Sequence, residues 1–284
     1  MFRGRALRTD RAAIMAIVNR TPDSFFDGGA TFDDGPAMAA VDQAVADGAD
    51  LVDIGGVKAG VGPAVDIGEE MRRVVPFVAS VRAAHPDLII SVDTWRSEVA
   101  TAACEAGADL INDTWAGVDH GLAAVAAEFG AGIVCSHTGG AAPRTNPYRV
   151  AYRDVVAAVV DETTAAAEAM VAAGVPKPGI LIDPTHDFGK NTRHGLELIR
   201  RTPELVATGW PVLMALSNKD FVGETLGVAL HERLEGTLAA TAVAAMGGAA
   251  VFRAHQVLAT RRVLEMVASI QGTREPSAPR RGMV

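Results

Sequence analysis

Short apolar runs alternate with longer, alanine-rich stretches along most of this chain. The runs at 12–18, 51–54, 88–92, 109–111, 132–135, 179–182, 212–216 and 249–252 have the length and continuity of strands buried on both faces. The stretches at 35–48, 69–84, 96–106, 120–129, 152–174, 193–207, 229–246 and 257–270 carry a helical period and lie between segments rich in Gly, Pro, Asp and Asn. Such alternation predicts βαβ units, a parallel sheet with helices outside it. Eight repeats is the number that closes a (β/α)8 TIM barrel, which is the predicted fold.

Each predicted strand runs into polar residues: Asn19, Asp53, Asp93, Asn112 with Asp113, His137, Asp183, Ser217 through Lys219, and Arg253 with His255. In a closed barrel these carboxyl ends share one face, where such folds keep their active sites. Any one of them could instead cap a helix or close a turn, and Asp113 is assigned that role. Caps do not explain Lys219, Arg253 and two histidines at matching places. After β-strand one, the loop through Asp23, Phe25, Phe26, Asp27 and Gly28-Gly29 leaves two aromatics outside any periodic element.

Composition narrows the function. The chain has 284 residues, 49% hydrophobic and 21% charged, enough for one large core. The expected division is an N-terminal extension over 1–11, a single barrel domain over 12–272 and a disordered tail over 273–284. A net charge of -8 argues against nucleic-acid partners, while leaving room for a locally basic anion site. Cys104 and Cys135 lack metal spacing and are expected as buried small hydrophobes in a reducing cytoplasm. No segment reads as a signal peptide or a membrane span.

In order along the chain, NRTPDSFFDGG (19–29), DIGG (53–56), SVDTW (91–95), INDTWAG (111–117), SHTGG (136–140), DPTHDFGK (183–190), SNKDFVG (217–223) and RAHQV (253–257) resemble the dihydropteroate synthase family. That family joins a dihydropterin diphosphate to 4-aminobenzoate in the folate pathway, and its divergent second, inactive branch in mycobacteria and relatives is the more similar. The resemblance covers nearly the whole chain and implies a pterin-binding barrel. It implies a pterin site made by Asp93, Asn112, Asp183, Phe188 and Lys219. It implies a diphosphate site made by Asn19, Arg253 and His255, with Asn19 also helping to hold Mg2+. Catalytic roles would fall to Lys219, Asp93 and Asp27, the last placed with Phe25 near the incoming amine by a closing loop. A homodimer through the later helices is implied as well.

The chain departs from that family on the aminobenzoate side. Where the family reads GESTRPGA, this chain reads GVKAGVG (56–62), so the threonine, arginine and proline of that pocket have no counterparts. Lys58 offers neither the fork nor the hydroxyl. Asn218 stands where arginine is usual, and Asp220 should repel a substrate carboxylate unless Lys219 pairs with it. Thr185 and Asp187 replace glycines, and Asp187 need not break the loop, since Asp tolerates left-handed backbone better than most residues. Thr138 leaves the pterin face less covered, and the extra charge of Arg20 is expected to point to solvent. These changes predict that standard synthase activity is absent or very low. The alternatives are a working synthase with a rebuilt site, or a transferase using a different amine.

Overall fold

In the computed structural model, which describes residues 2–22, 28–145 and 151–281, all eight predicted strands are present within two residues of their expected bounds. They are β1 (Ala13–Asn19), β2 (Leu51–Gly55), β3 (Ile89–Asp93), β4 (Leu110–Asp113), β5 (Gly132–Ser136), β6 (Ile180–Asp183), β7 (Leu213–Met214) and β8 (Val251–Ala254). All pair in parallel in the order β6-β5-β4-β3-β2-β1-β8-β7. A single bridge, Ile182 to Val212, joins the two ends, with the Ile182 amide donating to the Pro211 carbonyl at 3.0 Å. The result is a (β/α)8 barrel.

Side-chain alternation divides each strand between two cores. Ile14, Ala16, Val18, Val52, Ile54, Ile90, Val92, Ile111 and Ile133 face the surrounding helices in the main apolar cluster. The helices are α1 (Asp34–Ala46), α2 (Ile67–Ala84), α3 (Ser97–Ala106), α4 (Gly121–Phe129), α5 (Val155–Ala172), α6 (Thr192–Arg200), α7 (Thr202–Val206), α8 (Asp220–Leu226), α9 (Leu234–Met246) and α10 (Val257–Ile270). None of the helices among the described residues is long and apolar enough to cross a membrane. Inside the barrel, Met15, Leu51, Ile89, Leu110, Val134, Leu181, Leu213 and Val251 form one fully apolar layer. Two residues further along most of the strands the interior turns polar: Asp53 follows Leu51, Asn112 follows Leu110, Asp183 follows Leu181 and Arg253 follows Val251, while β1 and β7 continue with Ile17 and Ala215. Register keeps the layers level, since Leu51 pairs with both Met15 and Ile89.

The floor is sealed by the first residues of the chain. Phe2 is 2% exposed and packs with the apolar interior layer. Gly132 is required beneath it, because a Cβ there would lie 2.5 Å from the Phe2 ring. Arg3 donates to the carbonyls of Cys104 and Ala108, while Arg5 and Arg82 both pair with the buried Asp109.

Three helical expectations need correction. The stretch 193–207 is two helices, not one, because Pro203 lacks the amide that would continue α6 and its ring opens α7 instead. The stretch beginning at 229 starts with a 3-10 turn, Leu230–Glu232, before α9. The short α8 was not expected; it fills the loop after β7 and places Phe221 and Val222 in the core. Thr273 to Arg281 lie along the surface beyond α10, with Arg274 paired to Glu265 at 2.7 Å.

Candidate functional site

The polar layer is organised by Asp53, a fully buried carboxylate at the middle of β2. It accepts from Ser91 Oγ at 2.6 Å, from Asn112 Nδ2 at 3.0 Å and from Arg253 Nε at 2.6 Å. Arg253 continues across the barrel, its second nitrogen donating to Asp93 Oδ2 at 3.0 Å. The other Asp93 oxygen accepts from Thr114 Oγ1 at 2.8 Å. Ser91 is the register partner of Asp53 and Asn112 that of Asp93, so sheet pairing brings these four together, whereas Arg253 reaches them from β8 across the interior. Burial pushes the Asp93 carboxyl up to about 7 against the pull of Arg253, and the Asp53 charge adds to the rise. Asp53 is thus the hub of the site, although its polar strand-end position alone did not mark it as a site residue. The signal available was its spacing of two from Leu51, which turns it inward.

Asp183 ends β6 and accepts from the Thr185 amide at 2.7 Å. Burial raises its pKa to about 6, opposed by that hydrogen bond and by Lys219. Lys219 itself forms a close ion pair with Asp187. Asp220 does not pair with Lys219; it lies outward and binds Arg233 at 2.8 Å. In the loop after β6, Thr185 takes the left-handed backbone, at φ 50°. Asn218 takes that conformation after β7, at φ 56°. Gly189, at φ 63°, has no alternative, because a Cβ would lie 2.3 Å from the Thr138 carbonyl oxygen.

His255 follows β8 and shares a hydrogen bond of 2.9 Å between Nδ1 and Ser217 Oγ. Burial holds its pKa down to about 3, with Arg253 and Lys219 adding repulsion, so it is a neutral imidazole. Ile17, Ala215, Ser217, Lys219, Arg253 and His255 enclose a cavity of about 10 Å³, room for a single water. Asn19 ends β1, where its carbonyl accepts from Thr31 Oγ1 at 2.7 Å. Asp113 closes a turn as expected, accepting from the amides of Trp115 and Gly117.

Two polar groups near this mouth had no assigned role. Lys190 Nζ contacts His137 Nδ1 and the His137 carbonyl, both at 2.8 Å, and the carbonyls of Phe188 and Thr185 at 3.0 and 3.1 Å. It ties the loop after β5 to the loop after β6. Burial lowers its pKa to about 7, and lowers that of His137 to about 3. The His137 Nε2 is 3.4 Å from Glu162, but a neutral ring makes no ion pair there. His186 is 4% exposed, and neither ring nitrogen has a hydrogen-bond partner among the described residues.

Around the mouth, Phe188 is nearly buried and its ring centroid is 4.5 Å from that of Trp115. Trp115 meets Trp95 edge-on at 6.4 Å, so the tryptophans buttress Phe188 from behind. Arg20 does not point to solvent. It is 6% exposed, lies over the Phe77 ring at 4.6 Å, pairs with Asp34 and donates to the carbonyl of Thr31. The second loop is held through its backbone: Arg73 donates to the carbonyl of Gly56, Arg144 to those of Gly60 and Pro63, and Arg96 to that of Val65. Arg96 is braced in turn by the buried Glu70 at 2.6 Å. Asp27 and Phe25 lie outside the described residues.

The comparisons agree with this geometry. The family model described as pterin binding enzyme matches residues 15–255. A Mycobacterium tuberculosis protein named inactive dihydropteroate synthase 2 is 67% identical over 284 residues, covering 99% of this chain and 89% of that one. The Yersinia pestis dihydropteroate synthase, solved with a sulfonamide drug, superposes with a TM-score of 0.90 at 34% identity, over 96% of this chain and 99% of that one. The Thermus thermophilus enzyme, solved in complex with 6HMPPP, does so with a TM-score of 0.80 at 36% identity, over 95% and 98% of the two chains. A barrel whose strand ends converge on one buried carboxylate-guanidinium network, matched along its whole length, places this chain in the pterin-binding enzyme family as a dihydropteroate-synthase-like member.

Proposed function

We propose that this protein binds a pterin diphosphate at the barrel mouth and lacks ordinary dihydropteroate synthase turnover. The observation that carries the reading is the contrast between two halves of one site. On the pterin side, Asp93 and Asn112 stand at neighbouring strand ends and Asp183 at the end of β6, two strands beyond Asn112, with Lys219 and Arg253 also lining the mouth. A planar ring with donors on one edge suits two carboxylates and an amide, with Lys219 directed to a ring carbonyl and Phe188 against a ring face. On the other side, Arg73, Arg96 and Arg144 are spent on the backbone of the second loop. That loop offers Lys58 alone as a charged side chain between Gly56 and Gly62. A carboxylate such as that of 4-aminobenzoate is left without a bidentate partner there.

The diphosphate would lie against Arg253 and His255, next to Asn19. Neutral His255 serves as a directed hydrogen-bonding group, and Arg253 supplies the charge. Among the described residues no group of three or more His, Cys, Asp or Glu side chains could hold a metal ion. Mg2+ would enter as the counterion of a bound diphosphate, with Asn19 at the end of β1 as its protein ligand. If an amine does react here, the protein's part is to steady charge as diphosphate leaves and to keep water out, roles suited to Asp93 and Lys219 and, on the sequence alone, to Asp27. A homodimer in the cytoplasm completes the reading, supported by the exposed Val243 and Met246 on α9 and Leu258, Met266 and Ile270 on α10, two helices packed together.

The test is calorimetric titration with 6-hydroxymethyl-7,8-dihydropterin diphosphate and Mg2+, followed by 4-aminobenzoate added to the complex. Pterin binding with no heat from 4-aminobenzoate is the expected result. Synthase turnover at about 1 s⁻¹ or faster would overturn it.

A further inference from the structure

The Lys219 ammonium lines the small cavity at the mouth yet is turned toward the rim, where Asp187 holds it in an ion pair. Asp187 has no other hydrogen-bond donor among the described residues, and its side chain is 33% exposed, so water reaches it. The carboxylate could therefore swing out without leaving a buried charge behind. Lys219 is less exposed, at 17%, and closer to the interior. Arg253 differs, because its partner Asp53 is fully buried and bonded to Ser91 and Asn112 as well. One cation of the mouth is thus fixed, and the other is held by a movable carboxylate.

We propose that Asp187 is an internal competitor for Lys219, a specificity-determining residue that keeps neutral ligands out of the mouth. This rests on the pterin-binding reading above and deepens it. A ligand that offers Lys219 only a neutral carbonyl must replace a charge-assisted hydrogen bond with a weaker one. A ligand that brings its own negative charge compensates for the displaced carboxylate through Arg253 and Lys219 together. The mouth therefore favours diphosphate-bearing pterins over the bare ring, and Asp187 sets the margin.

The experiment is calorimetry with two probes, 6-hydroxymethylpterin and 6-hydroxymethyl-7,8-dihydropterin diphosphate with Mg2+, on the parent protein, D187N, K219M and the double variant. Asn is nearly isosteric with Asp and the site is partly exposed, so D187N is expected to fold, as melting temperature will verify. D187N should bind the neutral probe roughly tenfold more tightly, with a smaller gain for the diphosphate. The gain should vanish when K219M is combined with it. If the parent binds the diphosphate probe but D187N gains nothing for either ligand, the competitor role fails and the pterin-binding reading stands. If neither protein binds either probe, both fail.

Discussion

The Arg253 Nε donates to Asp53 Oδ2 across 2.6 Å, although the two residues are 200 positions apart in the chain. The contact joins the second strand to the last across the barrel interior, and it makes one carboxylate the anchor of the whole polar layer. Removing it should be costly. The variant D53A leaves the Arg253 guanidinium buried beside Asp93 alone and frees Ser91 and Asn112 of their acceptor. A loss of roughly 3–5 kcal/mol is expected. Urea denaturation with an unchanged slope and a lowered midpoint would verify it, and a midpoint within error of the parent would refute it.

His186 should be replaceable to advantage. Its ring sits 5.7 Å from Phe221 with both nitrogens unpartnered among the described residues, and burial holds its pKa down to about 3. The variant H186L removes two buried polar atoms at nearly constant volume, and a gain of roughly 1–2 kcal/mol is expected. The sign with pH is also fixed. Because the folded-state pKa lies below the unfolded value near 6.5, the unfolded chain takes up a proton that the native ring refuses as pH falls through that range. His186 therefore removes stability on acidification, and the advantage of H186L should widen between about pH 7 and pH 5. Parallel melting curves at the two pH values would tell against this account.

The variant G189A tests the loop after β6. It combines a positive φ with a Cβ placed 2.3 Å from the Thr138 carbonyl oxygen, and the opposing atom is backbone. The expected loss is roughly 2–4 kcal/mol, and the disturbed carbonyls beside it should loosen the Lys190 brace. Faster amide exchange confined to residues 185–190 is the accompanying signature.

At the floor, F2A should remove a ring from a fully apolar layer for a loss of about 3–5 kcal/mol. The barrel mouth lies at the opposite end, so ligand affinity should be unchanged at temperatures where the variant is folded. A large change in pterin affinity would mean that the two ends are coupled.

The sequence carried the strands plainly, because each is a short apolar run bounded by turn residues, and eight such runs with polar ends leave few folds to choose among. The convergence of Asp93, Asn112, Asp183, Lys219, Arg253 and His255 was legible for the same reason. Their partners were not. Whether Lys219 turns to Asp220 beside it or to Asp187 in another loop depends on backbone angles that Asn218 and Thr185 set, both left-handed and neither a glycine. Arg20 misled in the opposite direction. A charge where the family is usually apolar suggested solvent, but a guanidinium can be buried when a carboxylate, a carbonyl and a ring face surround it. The helix break at Arg201 was written in Pro203, which was within reach of the same reasoning applied to the α6 boundary. The short α8 gave no periodic signal because it has only seven residues.

The seam between β6 and β7 and the late arrival of β8 bear on how the chain is made. β1 pairs with β2 on one side and with β8 on the other, so one edge of the first strand has no partner until nearly the whole chain has been synthesised. During that interval an unpaired edge invites association with other chains. The polar contacts of Arg3 and Arg5 reach only as far as Gly130, residues made in the first half of synthesis, whereas Phe2 also packs with Leu181, Leu213 and Val251 of the late strands. An emerging half-barrel can thus have its first residues tied down by Arg3 and Arg5 while Phe2 and the flank of β1 still wait for the late strands, and the ribosome-bound chain would depend on chaperones chiefly for that exposed flank.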